Sequence, residues 1–256
     1  MVGIGSAPGI TNLLARLGAD RLESVDRIDL FNGSIVPGGE FAVPHAPDTI
    51  LDEFTLPAMI FEDGELREVP AGSGAIRYPF PGPLGDLEAV FTLHSELATL
   101  PQTIEGVRTV RWRLALPPAV ATGFRLLVEL GLAATQPVRV GEADVAPRDL
   151  LLAVLGGLPP TLAEAHEMTI VEVEGTAEGG HALFVGTASF EDAPEGTPAG
   201  AFGTALPITV AARWLAEGRV PAGVHPPETG LEAEPFLREL GAEGVGLTVR
   251  VEGRLG

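Results

Sequence analysis

Four short stretches of this 256-residue chain carry residue types that could do chemistry. The opening, MVGIGSAPGITNLLARLGAD, sets Gly3, Gly5 and Gly9 ahead of a helical pattern and raises the question of a dinucleotide-binding loop. Farther on, TLHSEL places His94 and Glu96 just after a strand pattern, at an element end where active groups often sit. AIRYPF sets Arg77 beside Tyr78 as a candidate for binding a carboxylate, and Glu88 in LEAVF falls in mid-strand, where burial would demand a partner. Each has a plainer reading. His94 would serve as a surface or helix-capping residue, Arg77 as half of a strand ion pair, and Glu88 equally as a structural ion pair or a substrate contact.

The opening loop does not meet the requirements of a dinucleotide site. Such a fingerprint reads G-x-G-x-x-G after a buried strand, with an acidic residue about 20 positions later for the ribose. Here the spacing is G-x-G-x-x-x-G, Pro8 lies inside the loop, and only Met1 and Val2 precede the first glycine. The next strand candidate, VDRIDLFNG, offers Asn32 where the acid should be. A tight turn into a helix survives, with Ile10, Leu13, Leu14 and Leu17 forming one apolar stripe. Free N–H groups around Gly5, Ser6 and Ala7 could still meet the polar edge of a ligand. Asn32 and the Gly38–Gly39 pair lie in a second loop where backbone could approach a ligand closely, or which serves as an ordinary turn.

Composition narrows the classes. A net charge of −19 argues against a nucleic-acid partner. All sixteen basic residues are Arg, so no Schiff-base lysine is available; the absence of Cys removes disulfides, thiolate metal sites and a cysteine nucleophile. His45, His166, His181 and His225 show no ligand spacing, and no metal is expected. The longest apolar run, Leu150 to Leu158, is about half of the ~20 residues a membrane span needs. No signal-peptide pattern opens the chain, and the expected compartment is the cytoplasm.

The elements that must position these residues are mainly strands. Strand patterns cover Arg27–Phe31, Ala58–Phe61, Glu65–Val69, Ala75–Phe80, Leu87–Leu93, VRTVRWRLAL, MTIVEVEG, HALFVGTASF and VGLTVRVEG. In VRTVRWRLAL, Val110, Trp112, Leu114 and Leu116 face one way and Arg111 and Arg113 the other. Helical patterns cover Ile10–Leu17, Asp48–Phe54, Ala119–Leu132, Pro147–Leu155, Ala205–Glu217 and Pro235–Leu240. Frequent hairpins without βαβ alternation predict one α+β domain over residues 1–256, built on a large mixed or antiparallel sheet with helices on one face. Residues 117–160 read as a small, mostly helical insertion within it.

The order of motifs carries a resemblance. GIGSAPGITNLLA, FNGSIVPGG, TILDEFTLPAMIFEDGELREVP, LEAVFT, TLPQTIEGVRTVRWRLAL, GVHPPE and the terminal strand together resemble the second half of the saccharopine dehydrogenase-like family. That family includes saccharopine reductases, lysine 6-dehydrogenases and carboxynorspermidine dehydrogenases. The resemblance implies an NAD- or NADP-binding Rossmann domain outside this chain, from which the x-P-G turn is the exit. It also implies that this half carries the amino-acid or amine substrate and the homodimer contact, and is inactive alone. Saccharopine reductases have D-P-G at this turn; Ala7-Pro8-Gly9 is closer to the lysine-dehydrogenase branch. The implied chemistry is hydride transfer between a nicotinamide and a carbon bearing an amine. His94 and Glu96 would then take the proton, and Arg77 the α-carboxylate. The implied pocket gathers Pro8, Gly9 and Asn12, the loop from Asn32 to Gly39, the Arg77–Tyr78 strand and Glu88. A module that keeps the fold for assembly or binding, without chemistry, is the alternative.

Overall fold

The computed structural model describes residues 1–36, 46–157 and 166–253. An irregular turn over Ser6–Ile10 leads into α1 (Thr11–Asp20). Strand β1 (Ser24–Ile35) follows, then α2 (Pro47–Thr55) and the hairpin β2 (Ala58–Glu62) and β3 (Glu65–Val69). A second hairpin, β4 (Ile76–Phe80) and β5 (Gly85–Phe91), precedes α3 (Glu96–Thr103) and β6 (Thr109–Ala115). Next come α4 (Pro118–Glu129), the short pair β7 (Val138–Val140) and β8 (Ala143–Val145), and α5 (Pro147–Gly156). The chain closes with β9 (His166–Ala177), β10 (Gly180–Ser189), α6 (Ala199–Ala216), α7 (Pro227–Gly230), α8 (Ala233–Ala242) and β11 (Gly246–Gly253).

Among the described residues nine strands form one mixed sheet in the order β11-β10-β9-β1-β6-β2-β3, with β5 also paired to β6 and β4 to β5. Only β1 and β6 run parallel, in a register that sets Leu30 beside Trp112 and Asn32 beside Leu114. The α1 stripe explains the sheet's first face. Ile10, Leu13, Leu14 and Leu17 bury against Ile28, Leu30, Val110, Trp112, Val171, Val173 and Phe184, and α3, α6 and α8 close over the same core. Burying each such side chain contributes roughly 1.5–3 kcal/mol.

The opposite face carries the odd members of β1. Phe31 packs there with Ile170, Met168 and Val185 beneath the β4–β5 hairpin, which supplies Phe80, Leu84 and Leu87. The ring of Tyr78 stacks on Phe31 at 4.0 Å. Helices thus cover one face and a folded hairpin covers much of the other. In the helical insertion, α4 and α5 pack on α2 through Ile50, Leu51, Val120, Phe124, Leu151 and Leu155, and Leu114 and Leu116 of the sheet join this small core. The expected insertion also contains the β7–β8 hairpin, and its last residues, from 158, lie outside the described part. No helix among the described residues is long and apolar enough to cross a membrane.

Candidate functional site

The site is built where the Ser6–Ile10 turn meets the start of α3. At Gly9 the backbone takes φ of +137°, which favours glycine, and its N–H donates to Asn12 Oδ1 at 3.1 Å. That bond orients the Asn12 amide, whose Nδ2 donates to Glu228 Oε2 at 3.0 Å and to Thr99 Oγ1 at 3.3 Å. Thr103 Oγ1 donates to the other oxygen of Glu228, at 3.0 Å. The buried Glu228 carboxyl therefore ties α7 to α1 and α3 and locks the turn from behind.

One residue before Asn12, the Thr11 hydroxyl donates to Glu96 Oε1 at 2.7 Å. Glu96 is fully buried, and its second oxygen holds His94 Nδ1 in a very short contact. The imidazole stacks on Trp112 at 3.7 Å with an interplanar angle of 11°, and Trp112 Nε1 donates to Thr92 Oγ1 at 3.0 Å. His94 is thus fixed at one edge by a carboxyl and on one face by an indole. Both supports are themselves anchored, the arrangement needed to hold an acid–base group in one pose.

Two clefts open beside this pair. The first, about 560 Å³, is lined by Ser6, Ala7, Asn32, Ser34, Glu53, His94, Trp112, Leu114, Glu167, Gly200 and Thr204. A second, about 570 Å³, is more apolar and runs along Ala7, Pro8, Met59, Leu66, Leu93 and Leu97. Ala7, Thr49, Glu53 and His94 line both, so the imidazole stands on the wall the two clefts share.

The family model for the saccharopine dehydrogenase C-terminal domain matches residues 5–245. This chain belongs to that family. Carboxynorspermidine synthase of Vibrio cholerae is 26% identical over 262 residues, covering 97% of this chain and 62% of that protein. The Vibrio alginolyticus carboxynorspermidine synthase is 25% identical over 258 residues, covering 96% and 61%. The chain therefore spans about three fifths of the length of these relatives. Apo histidine-tagged saccharopine dehydrogenase (L-Glu forming) from Saccharomyces cerevisiae shares the fold with a TM-score of 0.72 at 17% identity, over 97% of this chain and 73% of that one.

Within this saccharopine dehydrogenase C-terminal domain, the structure brings together some of the residues picked from sequence and separates others. Ser6, Ala7, Pro8, Asn32 and His94 line the clefts. Glu96, Asn12 and Gly9 stand behind them as supports. Gly5 makes the start of the turn, where its carbonyl accepts the Ile10 N–H at 2.9 Å. Arg77, Tyr78 and Glu88 do not join the site. Tyr78 lies on the opposite face of the sheet and donates to Glu172 Oε1 at 2.7 Å. Arg77 is exposed and donates to the Asp86 carbonyl at 3.2 Å, while Glu88 pairs with Arg125 at 2.8 Å on the surface. The reason is register: β4 and β5 fold back over the Phe31 side of β1, whereas Asn32 and Trp112 look the other way. Gly38 and Gly39 lie outside the described residues.

Sequence reasoning missed Glu53, Glu167, Thr11 and Glu228. Glu53 had a signal, since it falls three positions after Ile50 on the buried side of α2. Glu228 belongs to the GVHPPE motif, whose place in the order was noticed without a role for its acid. Glu167 is the second residue of β9, with nothing local to mark it.

Proposed function

We propose that this chain is the substrate-binding and catalytic half of an NAD(P)-dependent oxidoreductase acting on the C–N bond of an amino acid or related amine. The observation that carries this reading is the Glu96–His94 pair, stacked on Trp112 and set on the wall between two adjoining clefts. With Nδ1 engaged by Glu96, the imidazole has Nε2 left to exchange a proton with a substrate in the first cleft. An ammonium must lose a proton before its carbon can release hydride, and His94 is the group in position to take it. The carbon–nitrogen bond then gains double-bond character as the hydride leaves with its electron pair.

The second cleft fits the flat nicotinamide end of the cofactor, with Pro8, Met59, Leu93 and Leu97 as apolar walls and Ala7 beside the reacting centre. It does not fit the pyrophosphate, because no arginine is among the described residues that line either cleft. Bound there, the nicotinamide supplies the hydride acceptor or donor. Ala7 stands where saccharopine reductases place an Asp, which favours a lysine-dehydrogenase-like substrate over saccharopine. In this reading the protein is a cytoplasmic homodimer without nucleic-acid or membrane partners, as its charge of −19 suits.

A thermal-shift screen of amino acids, amines and both nucleotides on this chain tests the reading. Amines should raise the melting temperature, while NAD and NADP alone should bind weakly. Fused to a nicotinamide-nucleotide-binding domain, the chain should support amine-dependent turnover that His94→Ala lowers by about 10²–10⁴-fold, the range for general acid–base catalysis. Micromolar binding of a nucleotide to the isolated chain, or turnover indifferent to His94, would defeat it.

A further inference from the structure

The proton exchange proposed above, on which this inference rests, needs one ring nitrogen of His94 bare and open to the substrate. A neutral imidazole carries its proton on either nitrogen, and the hydrogen bond made by one nitrogen decides the state of the other. Here Nδ1 contacts Glu96 Oε2, and Glu96 Oε1 accepts from the Thr11 hydroxyl at 2.7 Å. Each oxygen of one carboxyl is thus engaged by a different side chain. Thr11 and Glu96 are both 0% exposed, whereas His94 reaches the wall of both clefts. The three residues run from dry core to open cleft.

Local structure explains why a carboxyl sits there. Glu96 is the first residue of α3 and Thr11 the first of α1, so two helix N-termini meet at the buried group. Both favour negative charge at that point. A carboxylate is an acceptor only, so it takes Nδ1–H and leaves the Nε2 lone pair for the cleft. Trp112, stacked on the ring at 3.7 Å, sets the plane of the imidazole but not which nitrogen holds the proton. That choice falls to Glu96, and the orientation of Glu96 depends on Thr11. Without the hydroxyl, Oε1 would lose its donor, and the carboxyl would gain by rotating or by holding a proton itself. Either change releases the Nε2–H form of the ring.

We propose that Thr11 is a positioning residue for the reaction, acting through Glu96 to hold His94 as its Nδ1–H tautomer with Nε2 free to take the substrate's proton. Once that proton is taken, the imidazolium stands against the Glu96 carboxylate, which stabilises it without becoming protonated. Thr11 adjoins Asn12, which accepts from the Gly9 N–H, so consecutive residues of α1 hold the base and the turn beside it.

Nitrogen-15 NMR of the imidazoles in the full chain reads the tautomer without turnover, and His94→Gln identifies the His94 signals among the five histidines. The neutral wild-type ring should show Nδ1 protonated and Nε2 bare. Thr11→Val, which keeps the side-chain shape and removes the hydroxyl, should give a mixture or the Nε2–H form. Thr11→Ser should restore the wild-type signals. In the chain fused to a nicotinamide-nucleotide-binding domain, Thr11→Val should lower kcat about 10–100-fold, as loss of a partner that orients a functional histidine does, with KM within about twofold. Melting temperatures check folding, and if Thr11→Val does not fold, Thr11→Ala carries the same comparison with Thr11→Ser. A wild-type tautomer in the folded hydroxyl-free variant, or a serine variant that fails to restore it, overturns the proposal and leaves the oxidoreductase reading intact. So does a kcat that Thr11→Val leaves unchanged where His94→Ala lowers it. A Thr11-dependent tautomer, with turnover indifferent to His94, would support the hold of Thr11 on the ring and sink the oxidoreductase reading instead.

Discussion

The two faces of the central sheet hold polar groups in opposite ways. On the helix-covered face, Thr11, Glu96, His94 and Trp112 form a chain of contacts that ends at an open cleft. On the hairpin-covered face, Tyr78 donates to Glu172, Arg113 reaches Asp29 at 3.4 Å, and its guanidinium lies 4.2 Å over the Phe91 ring. That second set closes on itself. Its titrations are displaced by burial. Burial pushes the Tyr78 phenol well above its ordinary value and the Glu172 carboxyl up, while the buried Arg113 is lowered. Displaced titration often marks a functional site, but a structural network on an enclosed face displaces it equally. Here access to a cleft is what separates the two faces.

The comparison can be broken hardest at Trp112, which is 1% exposed and serves both the core and the site. Trp112→Ala should cost about 3–5 kcal/mol in urea unfolding, from lost burial and the cavity left behind. It should also free the His94 ring, so that amine binding weakens in whatever fraction stays folded. A loss under about 1 kcal/mol would mean that this face of β6 is not core.

Glu228 tests whether the turn is held from behind. Glu228→Ala removes the acceptor for Asn12 and Thr103, both donors to one buried carboxyl, and should cost about 2–3 kcal/mol. The turn at Gly9 loses its brace with it. Amine affinity should therefore fall along with stability, whereas Glu228→Gln, which keeps an acceptor for one donor, should retain most of both. Full amine affinity in the alanine variant would make the network structural only.

On the enclosed face the expected change is smaller and depends on pH. Glu172 has a folded-state value above its ordinary one, because burial disfavours the charged form. The native state therefore keeps a proton that the unfolded chain releases. Stability from this group is fully present below about pH 4.5 and is lost as pH rises through the raised native value. Glu172→Gln still accepts from Tyr78 and carries no charge to bury. Relative to wild type it should match in stability at low pH and gain at neutral pH, by no more than about 1 kcal/mol, within the ordinary range for one substitution. Parallel curves of melting temperature against pH for the two proteins would contradict the assignment.

Much of the helix-covered face was legible in the sequence because it rests on local periodicity. The α1 stripe buries as read, β3 spans Glu65–Val69 as read, and Val110, Trp112 and Leu114 share a face. Arg113 does face the other way, but that side is covered and not open to water. Helix α3 was missed because Pro101 lies inside it; burial of Leu97 and Leu100 outweighs the one backbone bond that proline removes. The β7–β8 hairpin was missed because its strands are three residues each and almost wholly exposed, so no alternation marks them. In the candidate site, His94 and Glu96 could be picked out from their place after a strand, and Asn12 from its place after the turn. The contacts that hold them could not, because Thr11 lies 85 residues from Glu96, and Glu228 lies 216 residues from Asn12. Contacts at that separation leave no spacing to read.

The smallest expected effect falls at Arg77, and it separates the two faces most cleanly. Its side chain is exposed and donates once, to the Asp86 carbonyl at 3.2 Å. A substitution at such a position ordinarily moves stability by less than about 0.5 kcal/mol. Were Arg77 the anchor of a substrate carboxylate, Arg77→Ala would instead cost roughly 1.5–3 kcal/mol of binding, the value of a hydrogen bond to a charged group. Calorimetry of lysine and cadaverine against the Arg77→Ala protein decides between these values. Because the hairpin carries Arg77 over the Phe31 side of the sheet, away from His94, both ligands should bind this variant as they bind wild type. A selective loss of lysine affinity would return the carboxylate to Arg77, and would require the β4–β5 hairpin to swing round to the cleft face when ligand binds.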